Sequence, residues 1–123
     1  MEVRGADFVM YPVTDLARSI HFYRDTLGLS LEMEAGGMWA EFTAAPTTLA
    51  LYRPEKPEEG PQAGGASIAL AVADVQAAIS ELKEKGVIVA WEPFESPVCW
   101  MAIVTDPDGN SIILHQRKDG SVG

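Results

Sequence analysis

A stretch of this chain occurs twice. Val13-Thr14-Asp15-Leu16, with Ile20 four residues on, returns as Val72-Ala73-Asp74-Val75 with Ile79, and each member of the second copy stands 59 positions after its counterpart. Each copy follows an apolar segment that suits a strand and opens an apolar stripe at helical spacing. Asp15 and Asp74 stand where an N-cap stands, with a carboxylate placed to accept a backbone N–H of the first turn. Gly28 and Gly86 close the two helical stretches, as glycine does where a chain leaves a helix through a left-handed residue. A fold that obeys this order uses one strand–helix unit twice.

The periods fill in the rest. A strand is expected over about 7–13, then a helix from Asp15 to about Leu27 whose buried face is Leu16, Ile20, Tyr23 and Leu27. Strands follow at about 29–34, 38–43 and 48–53, punctuated by Gly36-Gly37 and Ala45-Pro46. Residues 54–65, PEKPEEGPQAGG, read as an exposed linker in which Glu55, Glu58 and Glu59 are solvated. The second copy predicts a strand at about 66–72 and a helix from Asp74 to about Lys85 on Val75, Ile79 and Leu82. Three more strands are expected near 87–91, 100–105 and 111–116, with Lys118–Gly123 a loose tail. Asp106-Pro107-Asp108-Gly109-Asn110 reads as turn chemistry: Pro107 sets φ, Gly109 permits a positive φ, and Asn110 tolerates the exit. The fold class is α+β: a single domain over residues 1–123, with a first module at about 7–53, the linker at 54–65, and a second module at about 66–117.

Composition removes several function classes. The chain has 123 residues, 47% of them apolar and 22% charged, which is enough to bury a core. With 18 acidic and 9 basic residues the net charge is −9, so no nucleic-acid partner is expected, because affinity for a phosphate backbone rests on clustered Lys and Arg. That acidity helps to attract a cationic ligand. No apolar run approaches the roughly 20 residues that span a bilayer, and the first residues show no leader pattern, so no membrane association is expected. Cys99 is the only cysteine, which excludes an intrachain disulfide and suits a reducing, cytoplasmic setting.

Here the residues resemble the glyoxalase I / bleomycin-resistance / extradiol-dioxygenase superfamily, the vicinal oxygen chelate fold. Val13-Thr14-Asp15-Leu16-Ala17-Arg18-Ser19-Ile20-His21-Phe22-Tyr23, running on to Leu27-Gly28-Leu29, carries the likeness. Ile68-Ala69-Leu70-Ala71-Val72 with Asp74, and the Asp106–Asn110 turn, extend it over about residues 7–117. The resemblance implies two tandem βαβββ modules whose curled mixed sheets surround a shared cleft, usually in a homodimer. Metal-dependent members place one ligand on the first and one on the last strand of each module. Carried over, those positions are Phe8, Ala50, Ser67 and Ile113. None offers the imidazole, thiolate or carboxylate that a divalent site needs, so no catalytic metal or other cofactor is expected.

Side chains alternate faces along a strand, and this separates two sets without the family. Val9, Leu49, Leu51, Ile68, Leu70, Ile112 and Leu114 share one parity and suit packing against the helices. Phe8, Met10, Ala50, Tyr52, Ser67, Ala69, Ile113 and His115 share the other, a mixture of aromatic, small and polar groups that suits a ligand-receiving surface. Phe42 reads as helix-facing, which turns Trp39 and Glu41 to the ligand side. Trp39, Trp91 and Trp100 are equally compatible with core or interface packing. An aromatic cage beside a carboxylate suits a flat or cationic ligand. Either Trp100 or Met101 faces inward. Phe94, in an expected loop Glu92-Pro93-Phe94, is a lid candidate by analogy with the family. Cys99 has no adjacent base and reads as structural, and His21 as a surface residue.

Three functions follow. The first is a metal-free binding protein of the bleomycin-resistance type that sequesters an aromatic or cationic compound such as an antibiotic. The second is a metal-independent isomerase or lyase acting through Glu41 or His115, with Tyr52 or a water between them. The third is a metalloenzyme with a displaced site, since His115 lies two residues past the expected carboxylate on the same parity. Lactoylglutathione lyase activity is not expected.

Overall fold

The computed structural model describes residues 2, 4, 6–56, 58 and 62–122. Residues 1, 3, 5, 57, 59–61 and 123 lie outside it, so the N-terminal stretch read for a leader, the linker, Glu59 included, and the expected tail are described only in part. The chain divides into two compact units, within residues 1–62 and 63–123.

The first unit holds β1 (Val9–Pro12), α1 (Leu16–Ile20), β2 (Ser30–Ala35), β3 (Trp39–Ala44) and β4 (Thr47–Tyr52). The second holds β5 (Ile68–Ala71), α2 (Val75–Glu84), β6 (Ile88–Glu95), β7 (Cys99–Thr105) and β8 (Ser111–Arg117). The sheet orders are β1-β4-β3-β2 and β5-β8-β7-β6, the same arrangement twice. In each sheet the first strand pairs parallel with the last, and the remaining pairs are antiparallel. The architecture is α+β, with two mixed four-stranded sheets that are curled but not closed, as two tandem βαβββ modules require.

Both N-caps form. The Asp15 carboxylate accepts from the Arg18 N–H at 3.0 Å, and the Asp74 carboxylate from the Ala77 N–H at 3.0 Å. The helices end differently. After α2, Val87 N–H donates to the Leu82 carbonyl across Gly86, whose φ is +78°, as in an ordinary glycine stop. After α1 the chain continues as a π-helical turn over His21–Thr26, in which Leu27 N–H reaches the Phe22 carbonyl. Leu29 N–H then reaches Tyr23, one residue further back than its counterpart does. Tyr23 and Leu82 keep the offset of 59, whereas Gly28 and Gly86 stand 58 apart, so the first unit holds one extra residue. The expected continuous α-helix to Leu27 gives way to a π-turn because that turn stores the extra residue without rotating Tyr23 off the core.

The core of each unit lies between its helix and its sheet. Tyr11, Leu16, Ile20, Tyr23, Phe42, Leu49 and Leu51 are buried in the first. Ile68, Val75, Ile79, Leu82, Val104, Ile112 and Leu114 are buried in the second. The Tyr23 and Phe42 rings meet at 5.8 Å, which fixes which face of β3 the helix covers. Of the expected helix-facing residues, Val9 and Leu70 are only half-buried.

Two expectations are corrected. Glu92-Pro93-Phe94 is not a loop: β6 runs on to Glu95, with register shifts on either side of Trp91. An edge strand tolerates Pro93 there, because the missing N–H is not needed on its open side. The tail is also held: Lys118 N–H extends the β7–β8 ladder to the Val98 carbonyl at 3.0 Å, and the chain then turns, with Gly120 N–H donating to the Arg117 carbonyl at 3.1 Å. The Asp106–Asn110 turn is built as its residues dictate. The buried Asp106 carboxylate accepts from the backbone N–H of Asp108 (2.9 Å) and of Asn110 (2.8 Å), and from the Asn110 side-chain amide (2.8 Å). Gly109 supplies the φ of +84°.

Candidate functional site

On the first unit's sheet, the face away from α1 carries a continuous polar–aromatic surface. Register sets it out in two rows across four strands. One row is Met10, Ala50, Glu41 and Met33; the next is Pro12, Tyr52, Trp39 and Ala35. The Trp39 and Tyr52 rings are cross-strand neighbours at 6.1 Å. Phe8, just ahead of β1 and 47% exposed, reaches diagonally to meet Trp39 edge-on at 5.7 Å. Trp39, Glu41, Met10 and Tyr52 are half-buried, while Ala50, short and flanked by Met10 and Glu41, is fully buried. The structure thus assembles Phe8, Met10, Trp39, Glu41, Ala50 and Tyr52 on one surface of one unit.

The rings of Phe8, Trp39 and Tyr52 lie at right angles or tilted to one another, with Glu41 in the adjoining row. Such a set can stack on a flat group and attract a positive one through ring faces and a carboxylate. Met33 joins the surface because β2 bulges between Leu31 and Met33. Counting alternate residues from Leu31 puts Met33 on the helix side, so the sequence reading missed it.

The second unit presents different chemistry on the corresponding face. Ala69 and Ile113 pair, Ile113 opposes Ile103, and His115 lies between Ala71 and Met101. Register resolves the Trp100/Met101 alternative: Met101 shares the face of His115. Trp100 pairs with Gln116 on the helix side, where the Gln116 side-chain Oε1 accepts from the Val75 N–H, the first of α2, at 2.9 Å. Phe94 pairs with Met101 from within β6 and contacts Trp91 at 5.8 Å, so it is a strand residue and not part of a lid loop. Ser67 hydrogen-bonds through its hydroxyl to that of Ser111. Glu41 belongs to the first unit and His115 to the second.

The other candidates lie apart. His21 is exposed on the π-turn and bonds Asp25 at 2.8 Å. Arg24, hydrogen-bonded to the same carboxylate, holds Asp25 below the usual carboxylate range and is itself raised. Cys99 is buried, its Sγ hydrogen-bonded to the Ser96 hydroxyl at 3.1 Å, a partner that is not a general base.

A metal of the kind used by metal-dependent members of this fold does not fit these residues. Phe8, Ala50 and Ile113 have no donor atom, and the Ser67 hydroxyl is engaged by Ser111. Among the described residues no three of His, Cys, Asp and Glu are grouped so as to hold an ion.

Comparison with known proteins decides the lineage. The family model described as Glyoxalase/Bleomycin resistance protein/Dioxygenase superfamily matches residues 5–114. The chain belongs to this superfamily. An uncharacterized protein of Mycolicibacterium smegmatis is 31% identical over 107 residues, covering 87% of this chain and 89% of the relative. The crystal structure of TnmS3, an antibiotic binding protein from Streptomyces sp. CB03234, is similar with a TM-score of 0.76 and 31% identity, covering 96% of this chain and 99% of that one. A glyoxalase/bleomycin resistance protein from the same organism is similar with a TM-score of 0.73 and 31% identity, covering 91% and 100%.

Proposed function

We propose that this superfamily member is a binding protein that sequesters a flat aromatic or cationic small molecule, and that it does so without a metal. One observation carries the reading. Where metal-dependent members place ligands, this chain has Phe8 and Ala50, and around them the Phe8–Trp39–Tyr52 rings stand beside Glu41. A surface of this composition gains affinity by stacking and by cation–π attraction, neither of which needs an ion. The likeness to TnmS3, described as an antibiotic binding protein, supports a small-molecule ligand of that kind. The buried thiol of Cys99 is compatible with the cytosol. The resemblance implies a homodimer, which light scattering on the purified chain would show as twice the 13.3 kDa mass.

The test is a tryptophan-fluorescence titration with a panel of cationic and aromatic compounds, run with chelator and again with nickel, zinc, iron or manganese. Saturable binding that survives the chelator is expected. Trp39→Ala should weaken it about tenfold, the value of one good aromatic contact, and Glu41→Gln should weaken cations more than neutral compounds. Affinity no tighter than millimolar across the panel would sink the binding reading. One tightly held metal per chain would sink the metal-free part of it.

A further inference from the structure

A groove of about 450 Å³ opens in the second unit between residues 71–73 and the end of β8 with the tail after it, residues 115–122. That volume falls within the range of small-molecule sites, roughly 300–1,000 Å³. Its lining includes the short apolar side chains of Ala71 and Ala73 and the exposed Val122. The polar lining carries Arg117 and Lys118, with His115 beside them, in a chain whose net charge is −9.

The hydrogen bonds single out one of these groups. Lys118 is taken by Glu95 at 2.7 Å. Asp119, the acidic neighbour, accepts from the Ser121 hydroxyl at 2.7 Å and its N–H at 2.9 Å. Those bonds, with the Arg117 charge, hold the Asp119 carboxyl below its ordinary value. Arg117 makes one side-chain hydrogen bond among the described residues, a long one of 3.3 Å to the Ser121 hydroxyl. The His115 ring makes none among the described residues. A guanidinium fork tied by a single long bond matches the two oxygens of a carboxylate.

We propose that this groove is a second binding site, for a small organic carboxylate with a flat apolar body. Arg117 grips the carboxylate in a bidentate pair, His115 hydrogen-bonds the ligand, and the body lies over Ala71 and Ala73 against Val122. The site lies within the second unit and prefers a charge opposite to that favoured by the aromatic surface of the first.

Benzoate is the probe, titrated into isotope-labelled protein at about 150 mM salt, where the field of the acidic chain is screened beyond roughly 8 Å. Saturable amide shifts confined to residues 71–73 and 115–122 are expected, with a Kd in the millimolar range or below. Arg117→Gln should weaken binding about tenfold, the loss of a bidentate charged pair in an open site. Ala71→Leu, which fills the groove and alters no charge, should weaken it at least as much. Absence of saturable shifts, or unchanged affinity in both variants, overturns the proposal. Inorganic phosphate producing the same shifts at the same concentrations overturns the carboxylate assignment and leaves a simple charge patch.

Discussion

The two units repeat one topology, yet each fills it differently. At matching register positions the first unit buries Tyr11, Tyr23 and Phe42 where the second has Leu70, Leu82 and Val104. On the opposite face, Trp39, Glu41 and Tyr52 stand where the second has Met101, Ile103 and His115. Strand order, caps and helix–sheet packing tolerate either set, because the backbone ladder is the same and each core keeps its apolar parity. The face away from the helix keeps the same backbone ladder with either set of side chains. In this chain the aromatic, acidic chemistry is in the first unit and the positive groove is in the second.

The largest expected effect tests whether the aromatic core of the first unit matters more than the aliphatic core of the second. Phe42→Ala should cost about 3–5 kcal/mol by urea unfolding, and its register counterpart Val104→Ala about 2 kcal/mol, following the volume each removes from a fully buried site. Equal losses would break the comparison, since they would mean that the two sites collapse around the void to the same depth.

Next comes the connection between the last two strands. The second unit uses the buried Asp106 carboxylate with three hydrogen bonds, whereas the first turns through Ala45-Pro46 with none of that chemistry. Asp106→Ala should cost about 2–3 kcal/mol, since the N–H of Asn110 and its side-chain amide lose their buried acceptor. A melting temperature within a degree or two of the parent would show that water replaces the carboxylate, in which case the two turns are energetically alike.

The smallest expected effect concerns the extra residue. Deleting Asp25 would bring Leu29 into the spacing from Tyr23 that Val87 has from Leu82, turning the π-turn into an ordinary glycine-stopped helix end. The deleted chain should fold cooperatively, with a shift in melting temperature much smaller than that caused by deleting Ser80 from α2. Failure of the Asp25 deletion to fold, with survival of the Ser80 deletion, would reverse the assignment of which helix carries the insertion.

Much of this was legible in the residues. The spacing of 59 announced a duplicated unit, Asp15 and Asp74 marked the helix starts, and Asp106–Asn110 spelled its own turn. These features depend on neighbours within a few positions, where backbone sterics and local hydrogen bonds decide. The Gly28–Gly86 spacing of 58 also held the sign of the π-turn, although a missing residue does not say how the extra one is stored. Parity separated the helix side from the opposite face wherever a strand was regular.

What only the tertiary structure decided depends on partners far along the chain. Pairing of β7 with β8 put Met101 beside His115 and Trp100 on the other face, and no count within β7 alone sets that phase. The bulge in β2 brought Met33 to the aromatic surface, and the shifts in β6 absorbed Pro93 into a strand. Phe8 reached Trp39 because two long side chains lean across the pleat, a contact between residues 31 positions apart. The groove at Arg117 lies where the chain turns after β8, with Gly120 N–H donating to the Arg117 carbonyl, beside residues 71–73 at the end of β5, far earlier in the chain. Local chemistry chose the elements; the register between distant strands chose which side chains meet.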